Sequence, residues 1–229
     1  MNPDTETSSR PVAGGTENAS GERRTQAERR AQAERALLDA AMVLFARRGV
    51  DQTSLADVGE QAGYSRGLVN HHFGSKAALV ERLAQRSQLD FVSRLAEFDG
   101  DEVDVLVGFS RSYLAAMGGQ SHEARAFFVM WGAALPEEAD LQSVIAARDA
   151  QFRFGIESLL RLGQQKKTIR NGIDPGGLAT VVVAMLRGMA AQVLIDADSV
   201  DLAATGDACE QMLRRTLSPA SAARVKEHR

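Results

Sequence analysis

The chain has 229 residues, 44% of them hydrophobic, which suits one large domain or two small ones with a real core. Its single cysteine, Cys209, excludes an intrachain disulfide and favours a reducing cytoplasm, and we expect this residue to be a small buried hydrophobe. The net charge is −3, but residues 22–86 hold 11 Lys and Arg against 8 Asp and Glu. This net +3 is mild evidence for a polyanionic partner.

The N-terminal 22 residues are polar and lack apolar periodicity, so we expect a disordered tail and no signal peptide. Leu38, Ala41, Met42 and Phe45 share one face of a helix that should end at Gly49. Two short helices, 54–62 and 66–72, follow around Gly63, and a long helix begins after Ser75.

Beyond residue 100 the pattern remains helical. We predict helices over 102–118, 122–134, 138–164, 175–196 and 200–217, separated by Gly, Pro and Asn-Gly breaks, and we find no convincing strand. The expected fold is therefore all-α, with about nine helices. The most apolar stretch, 176–195, is interrupted by Arg187, so we expect a core helix rather than a membrane span.

The segment GLVNHHFGSK, residues 67–76, concentrates polar side chains. Adjacent histidines diverge by about 100° on a helix, whereas a zinc-binding helix uses an i, i+4 pair, so we expect no metal here. The letters GYSRG at 63–67 match the G-x-S-x-G pattern of hydrolases. That pattern requires a preceding strand, so Ser65 is better explained as a helix cap than as a nucleophile.

The two short helices have the spacing of a helix-turn-helix. Val69 should face inward, and the outer side of the second helix would then present base-contacting and phosphate-contacting groups. Arg66 suits guanine, Gly67 a close backbone approach and Leu68 a thymine methyl, whereas Asn70, His72 and Lys76 suit phosphate oxygens. The chemistry alone leaves a solvated helical corner without a partner equally open.

The segment TSLADVGEQAGYSRGLVNHHFGSKAALVERL, residues 53–83, resembles the DNA-binding segment of the tetracycline-repressor (TetR) family of bacterial transcription regulators. The matching positions are Thr53, Ala62, Gly63, Ser65, Gly67, His72, Phe73, Ser75, Lys76 and Leu79. The chain departs from the family pattern at Asn70, where Tyr is usual, at Tyr64, where Val is usual, and at Gly59, where Ala is usual. Gly59 is expected to loosen its helix by up to about 1 kcal/mol relative to Ala.

The resemblance implies a helix-turn-helix DNA-binding domain over residues 23–74, with the helix from 75 as connector, and a helical ligand-binding and dimerisation domain over 75–229. The expected DNA contacts are Thr53, Ser54, Arg66, Gly67, Leu68, Asn70, His71, His72 and Lys76. The expected protein is a cytoplasmic homodimer and a regulator, most often a repressor in this family. It would bind a near-palindromic double-stranded DNA operator and be released by a small apolar or amphipathic effector.

The C-terminal half offers softer signals. The expected pocket residues are Tyr113, Met117, Phe127, Trp131, Phe152 and Met185, with Arg125 or Arg153 as partners for an anionic effector. The expected dimer interface comprises Gly188, Ala191, Leu194, Leu202, Met212 and Leu213, with packing inside one chain as the alternative. We expect no catalytic residue, metal or cofactor. A DNA-binding regulator without an effector, or a ligand-binding protein or enzyme without DNA binding, remain the alternative functions.

Overall fold

The computed structural model describes residues 25–95, 97–119, 122–136 and 141–219, with the main chain only for 87–95. In these ranges the chain forms nine α-helices and one 3-10 helix. The helices are α1 (Gln26–Arg48), α2 (Leu55–Ala62), α3 (Arg66–Phe73), α4 (Lys76–Leu95), α5 (Glu102–Gly118), α6 (His122–Ala133), α7 (Gln142–Lys166), α8 (Pro175–Ile195), a 3-10 helix (Ala197–Ser199) and α9 (Leu202–Leu217).

The predicted all-α class is confirmed, since the described residues contain no strand. The predicted helix over 138–164 is observed from Gln142, and residues 137–140 lie outside the described ranges. The tail predicted over 1–22 also lies outside them.

Side-chain caps fix where the short N-terminal helices begin and end. Ser54 and Asp57 form a reciprocal capping box at the start of α2, and the Ser65 hydroxyl accepts a hydrogen bond from the Leu68 N–H at the start of α3. Between these helices Gly63 has a left-handed φ of 75°, which a glycine adopts without strain. Local sequence chemistry therefore sets the turn between α2 and α3.

We use the name head for α1, α2, α3 and the first two turns of α4. Its core is built around Phe45 of α1, Val58 of α2, Val69 of α3 and Leu79 of α4, all of which are fully buried. The same hydrophobic cluster also contains residues from the C-terminal half of the chain: Ala126, Met130, Ala134, Leu141 and Ile145. The head thus shares its core with α6 and the start of α7.

We use the name body for α5, α7, α8 and α9, which enclose a second core. Its buried residues include Phe109 of α5, Leu160 of α7, Leu186 of α8 and Leu213 of α9. Cys209 belongs to the same core and is 5% exposed, which confirms it as a buried hydrophobe, and burial raises the pKa of its thiol.

Helix α8 is long and apolar enough to cross a membrane by length and composition. In the structure it packs against α5 and α7, with Val182, Val183 and Leu186 in the body core. Its one charged residue, Arg187, is buried in an ion pair with Asp149 of α7. One side of α8 therefore packs in the body core.

Candidate functional site: a nucleic-acid interface and a buried polar cluster

The helix-turn-helix is closed by a close contact between α2 and the turn before α3. The Tyr64 N–H donates a hydrogen bond of 2.8 Å to the Gly59 carbonyl oxygen. A Cβ on Gly59 would lie 2.9 Å from the Tyr64 carbonyl oxygen and 2.9 Å from Cγ2 of Val69. Gly59 therefore lets α3 and its preceding turn approach the backbone of α2.

The short α3 turns its apolar side inward and its polar side outward. Val69 is fully buried and Phe73 is 8% exposed. Four of the predicted DNA-contacting residues are exposed together on this helix, namely Arg66, Gly67, Asn70 and His71, and we call this group the recognition edge. Leu68 and His72 are half-buried beside it.

Ser54 is exposed at the N-terminus of α2, the helix that packs against α3. Its hydroxyl donates a hydrogen bond of 2.7 Å to the Asp57 carboxylate, which also pairs with Arg48 at 3.0 Å. The hydrogen bond from the Ser54 backbone N–H is the main reason why the pKa of Asp57 is lowered. Ser54 is thus held rigidly at the surface.

The predicted contacts at Thr53 and Lys76 need correction. Thr53 is 1% exposed and its hydroxyl donates 2.8 Å to the Gly49 carbonyl oxygen, so its side chain is part of the head interior. The Lys76 ammonium donates hydrogen bonds to the carbonyl oxygens of Val50, at 2.9 Å, and Asp51, at 3.4 Å. Thr53 positions the loop before α2, and Lys76 ties the start of α4 to that loop.

The two adjacent histidines differ in their surroundings. Burial is the largest cause of the lowered pKa of His72, whose ring lies 5.9 Å from that of Phe73. Among the described residues no three His, Cys, Asp or Glu side chains group closely enough to hold a metal ion. His71, by contrast, is exposed on the recognition edge.

A polar cluster that could not be recognised in the sequence joins α6, α7 and α8. Arg187 of α8 donates 2.6 Å to Oδ2 of Asp149 on α7, and Nε1 of Trp131 on α6 donates to the same oxygen at 3.2 Å. The side chains of Arg187 and Asp149 are only 8% and 18% exposed. We call Trp131, Asp149 and Arg187 the polar cluster. In the sequence, Arg187 is visible only as an interruption of an apolar helix, and no motif marks Asp149.

Aromatic rings surround this cluster. The guanidinium carbon of Arg187 lies 5.1 Å from the ring centroid of Phe127, 5.8 Å from that of Trp131 and 5.7 Å from that of Phe152. The Tyr113 ring lies 6.3 Å from that of Phe152, and burial raises the pKa of its hydroxyl. Four of the predicted pocket residues therefore lie in one place.

The remaining predicted pocket residues have other surroundings. Met117 is 8% exposed and packs in a separate small cluster with Ala190 and Val193, while Met185 is half-buried against the body core. Arg125 donates 2.8 Å to the Leu194 carbonyl oxygen, so it caps the end of α8. Arg153 is half-buried on α7.

The predicted dimer interface is only partly at the surface. Leu194 and Leu213 are 6% and 2% exposed because they pack inside their own chain, which corrects their assignment. Leu202 is half-buried in the cluster around Met117. By contrast, Met212 is 47% exposed, Gly188 is exposed and Ala191 is half-buried. The exposed side of α8 forms an apolar stripe with helical spacing: Val181, Ala184, Gly188, Ala191 and Ile195.

Two family models match this chain. Residues 37–83 match the model described as bacterial regulatory proteins of the tetR family, and residues 103–218 match the C-terminal model of BetI-type transcriptional repressors. A curated HTH-type transcriptional repressor of Mycobacterium tuberculosis is 28% identical over 180 residues, which cover 79% of this chain and 92% of that protein.

Solved structures share the fold. One is described as a TetR-family regulator from Rhodococcus sp., with a TM-score of 0.72 and 20% identity, and the match covers 82% of this chain and 100% of that one. Another, described as a transcriptional regulator from Saccharomonospora viridis in complex with choline, has a TM-score of 0.66 and 19% identity. That match covers 83% of this chain and 100% of the other.

Proposed function

The chain belongs to the TetR family of bacterial transcription regulators, which are not enzymes, and we propose that it acts as an effector-released repressor bound to its operator as a homodimer. The observation that carries the proposal is the recognition edge. Arg66, Asn70 and His71 are exposed on the side of α3 opposite buried Val69, and the major groove is wide enough to admit an α-helix.

Within this proposal each exposed group has a defined task. Arg66 donates to the edge of a guanine, Gly67 lets the backbone approach, and Asn70 and His71 bond phosphate oxygens or base edges. Ser54 is exposed at the N-terminus of α2, the end of a helix whose dipole favours a phosphate.

The apolar stripe on α8 supports the homodimer. Val181 is 58% exposed and Met212 on α9 is 47% exposed, and the glycine and alanines of the stripe on α8 permit close helix approach. Two copies joined along α8 and α9 would present two recognition edges. A spacing of about 34 Å would place them in successive major grooves of a near-palindromic operator in the cytoplasm.

The aromatic group around the polar cluster supports a small effector. The structural relative from S. viridis was solved in complex with choline, a small organic molecule. An effector bound beside Trp131 on α6 would act next to the head core, which α6 helps to form. Release requires only that the effector prefer a dimer whose two edges are wrongly spaced.

The test is selection of bound sequences from random duplex DNA, followed by binding of the selected operator to Arg66→Ala. We expect Arg66→Ala to lose about 1–3 kcal/mol of binding free energy and to relax the preference at one base pair in each half-site. Arg215→Ala removes an exposed arginine from the last turn of α9 and is the matched control. An unchanged base preference in Arg66→Ala would remove Arg66 from base recognition, and a failure to select any sequence would refute the proposed function.

A further inference from the structure

Two polar atoms of the polar cluster are buried without a hydrogen-bond partner. They are Oδ1 of Asp149 and Nε of Arg187. The neighbouring atoms are used, since Oδ2 of Asp149 accepts from both Arg187 and Trp131. Buried polar groups in proteins almost always have a hydrogen-bond partner. Two buried atoms without one, on residues that are hydrogen-bonded to each other, therefore indicate a place where a bound group supplies the missing contacts.

The surroundings of these atoms define the rest of the occupant. Phe127, Trp131 and Phe152 each retain some solvent exposure, although Arg187 behind them is 7% exposed. Partial exposure of rings around a buried ion pair means that space of at least the size of water adjoins their surfaces. Flat apolar walls with a few polar atoms are typical of sites for aromatic small molecules.

The charges of the polar cluster indicate which polar group a bound molecule would carry. A cation is disfavoured because the guanidinium of Arg187 already lies over the rings of Phe127, Trp131 and Phe152 and pairs with Asp149. An anion would meet the free oxygen of Asp149. A neutral hydroxyl suits both atoms, since its O–H donates to a carboxylate oxygen and its lone pair accepts from an N–H.

We propose that the effector is an uncharged aromatic alcohol of the phenol class, whose hydroxyl donates to Oδ1 of Asp149 and accepts from Nε of Arg187. Its ring lies among Phe127, Trp131 and Phe152. This inference rests on the proposed effector-released function and names the effector's chemistry. The anchor adjoins α6 through Trp131, and Ala126 and Met130 of the same helix belong to the head core.

The test compares 4-propylphenol with 4-propylanisole, which differ only in whether the oxygen carries hydrogen or methyl. Trp131 is the only tryptophan of the chain, so its fluorescence reports binding at the polar cluster without any reference to activity. We expect the phenol to bind about ten- to a hundredfold more tightly than its methyl ether, as for a hydrogen bond to a charged group. Equal affinity, or binding by neither compound, would overturn the anchor. Tighter binding of choline than of the phenol would do the same.

A pair of variants locates the effect. Asp149→Asn removes the charged acceptor, and Asp198→Asn makes the same change at an exposed carboxylate in the 3-10 helix. By calorimetry, we expect the preference for the phenol over its ether to fall towards one in Asp149→Asn and to persist in Asp198→Asn. Persistence in both variants would overturn the role of Asp149. If Asp149→Asn does not fold, the two ligands on the unaltered protein still decide.

Operator binding is measured in the same samples. A protein that binds its selected operator but shows no preference for the phenol refutes the anchor and leaves the regulator intact. A protein that selects no operator refutes the proposed function itself, whichever small molecule it binds.

Discussion

Gly59 shows how a single missing Cβ shapes the head. From the sequence alone, this glycine weakens α2, because glycine lowers helix stability relative to alanine. The structure places the Tyr64 carbonyl oxygen and Val69 Cγ2 where that Cβ would be, each at 2.9 Å. Neither obstacle is the flexible end of a long side chain, so added volume strains the turn that positions α3.

We therefore expect Gly59→Ala to lower the free energy of unfolding by about 1 kcal/mol, because the contact strain exceeds the gain in helix propensity. The control is Gly67→Ala, whose Cβ would meet only the Ser65 hydroxyl oxygen at 3.8 Å. That variant should gain up to about 1 kcal/mol of stability and lose operator affinity. Urea unfolding at one fixed protein concentration measures the stability of both variants. A Gly59→Ala variant more stable than the unaltered protein would show that the turn before α3 moves to accommodate the added Cβ.

The orientation of individual side chains on α3 could be predicted, whereas their hydrogen bonds could not. A period of 3.6 residues is enough to separate buried Val69 from exposed Arg66 and Asn70. The partners of Thr53 and Lys76 are backbone carbonyls in the loop between α1 and α2. Their position depends on how that loop folds, and no spacing in the sequence encodes it.

At the scale of elements, the helix boundaries were largely predictable because they rest on local chemistry. Asp101 and Asp174 accept hydrogen bonds from the first-turn N–H groups of α5 and α8, and Pro175 begins α8. Which helices pack against each other was harder to predict from the sequence. Leu194 and Leu213 lie on apolar faces that would look the same whether they were covered by their own chain or by a second copy.

Glu102 joins two helices of the body and makes that joint sensitive to acid. Its carboxylate forms an ion pair with Lys166 at 2.7 Å and accepts a hydrogen bond of 2.5 Å from the Thr168 hydroxyl. The Glu102 side chain is 6% exposed. The bond from Lys166 is the main reason why the pKa of Glu102 lies below its usual 4.5. A folded-state pKa below the unfolded value stabilises the protein above pH 4.5. That stabilisation is lost as the pH falls through the folded-state value.

We expect Glu102→Gln to lower the free energy of unfolding at neutral pH and to reduce the further loss between neutral and acid pH. The variant cannot lose a charge that it lacks, so its stability curve should be flatter in acid. Denaturant unfolding across that pH range is the measurement, with Glu60→Gln, an exposed carboxylate on α2, as control. Parallel curves for Glu102→Gln and the unaltered protein would contradict this account.

At the scale of the molecule, the family and its fold followed from residues 53–83, but the polar cluster did not. Trp131 and Asp149 are 18 residues apart, and Asp149 and Arg187 are 38 apart. Only the packing of α6, α7 and α8 brings the three together. Arg187 is recognisable in the sequence only as an interruption of an apolar helix, and no spacing identifies Asp149 as its partner.

The assembly can be tested by a charge placed on the apolar stripe. A side chain at Gly188 would meet nothing within 4 Å in its own chain, so Gly188→Glu should fold normally. At a dimer interface the carboxylate would be buried without a partner, and we expect dimerisation to weaken at least about tenfold. Light scattering over a dilution series measures this. Gly172→Glu, also in open space, is the control. Equal dimerisation by both variants would place the interface elsewhere.

The shared core of head and α6 has a consequence for exchanging parts between related regulators. Phe45 and Val58 are in the same hydrophobic cluster as Ala126, Met130 and Ile145, more than forty residues downstream of the helix-turn-helix. A chimera that joins this DNA-binding segment to a foreign effector domain would place unmatched side chains in that cluster. Swapping operator specificity by grafting therefore requires α6 and the start of α7 to be transplanted together with the segment they support.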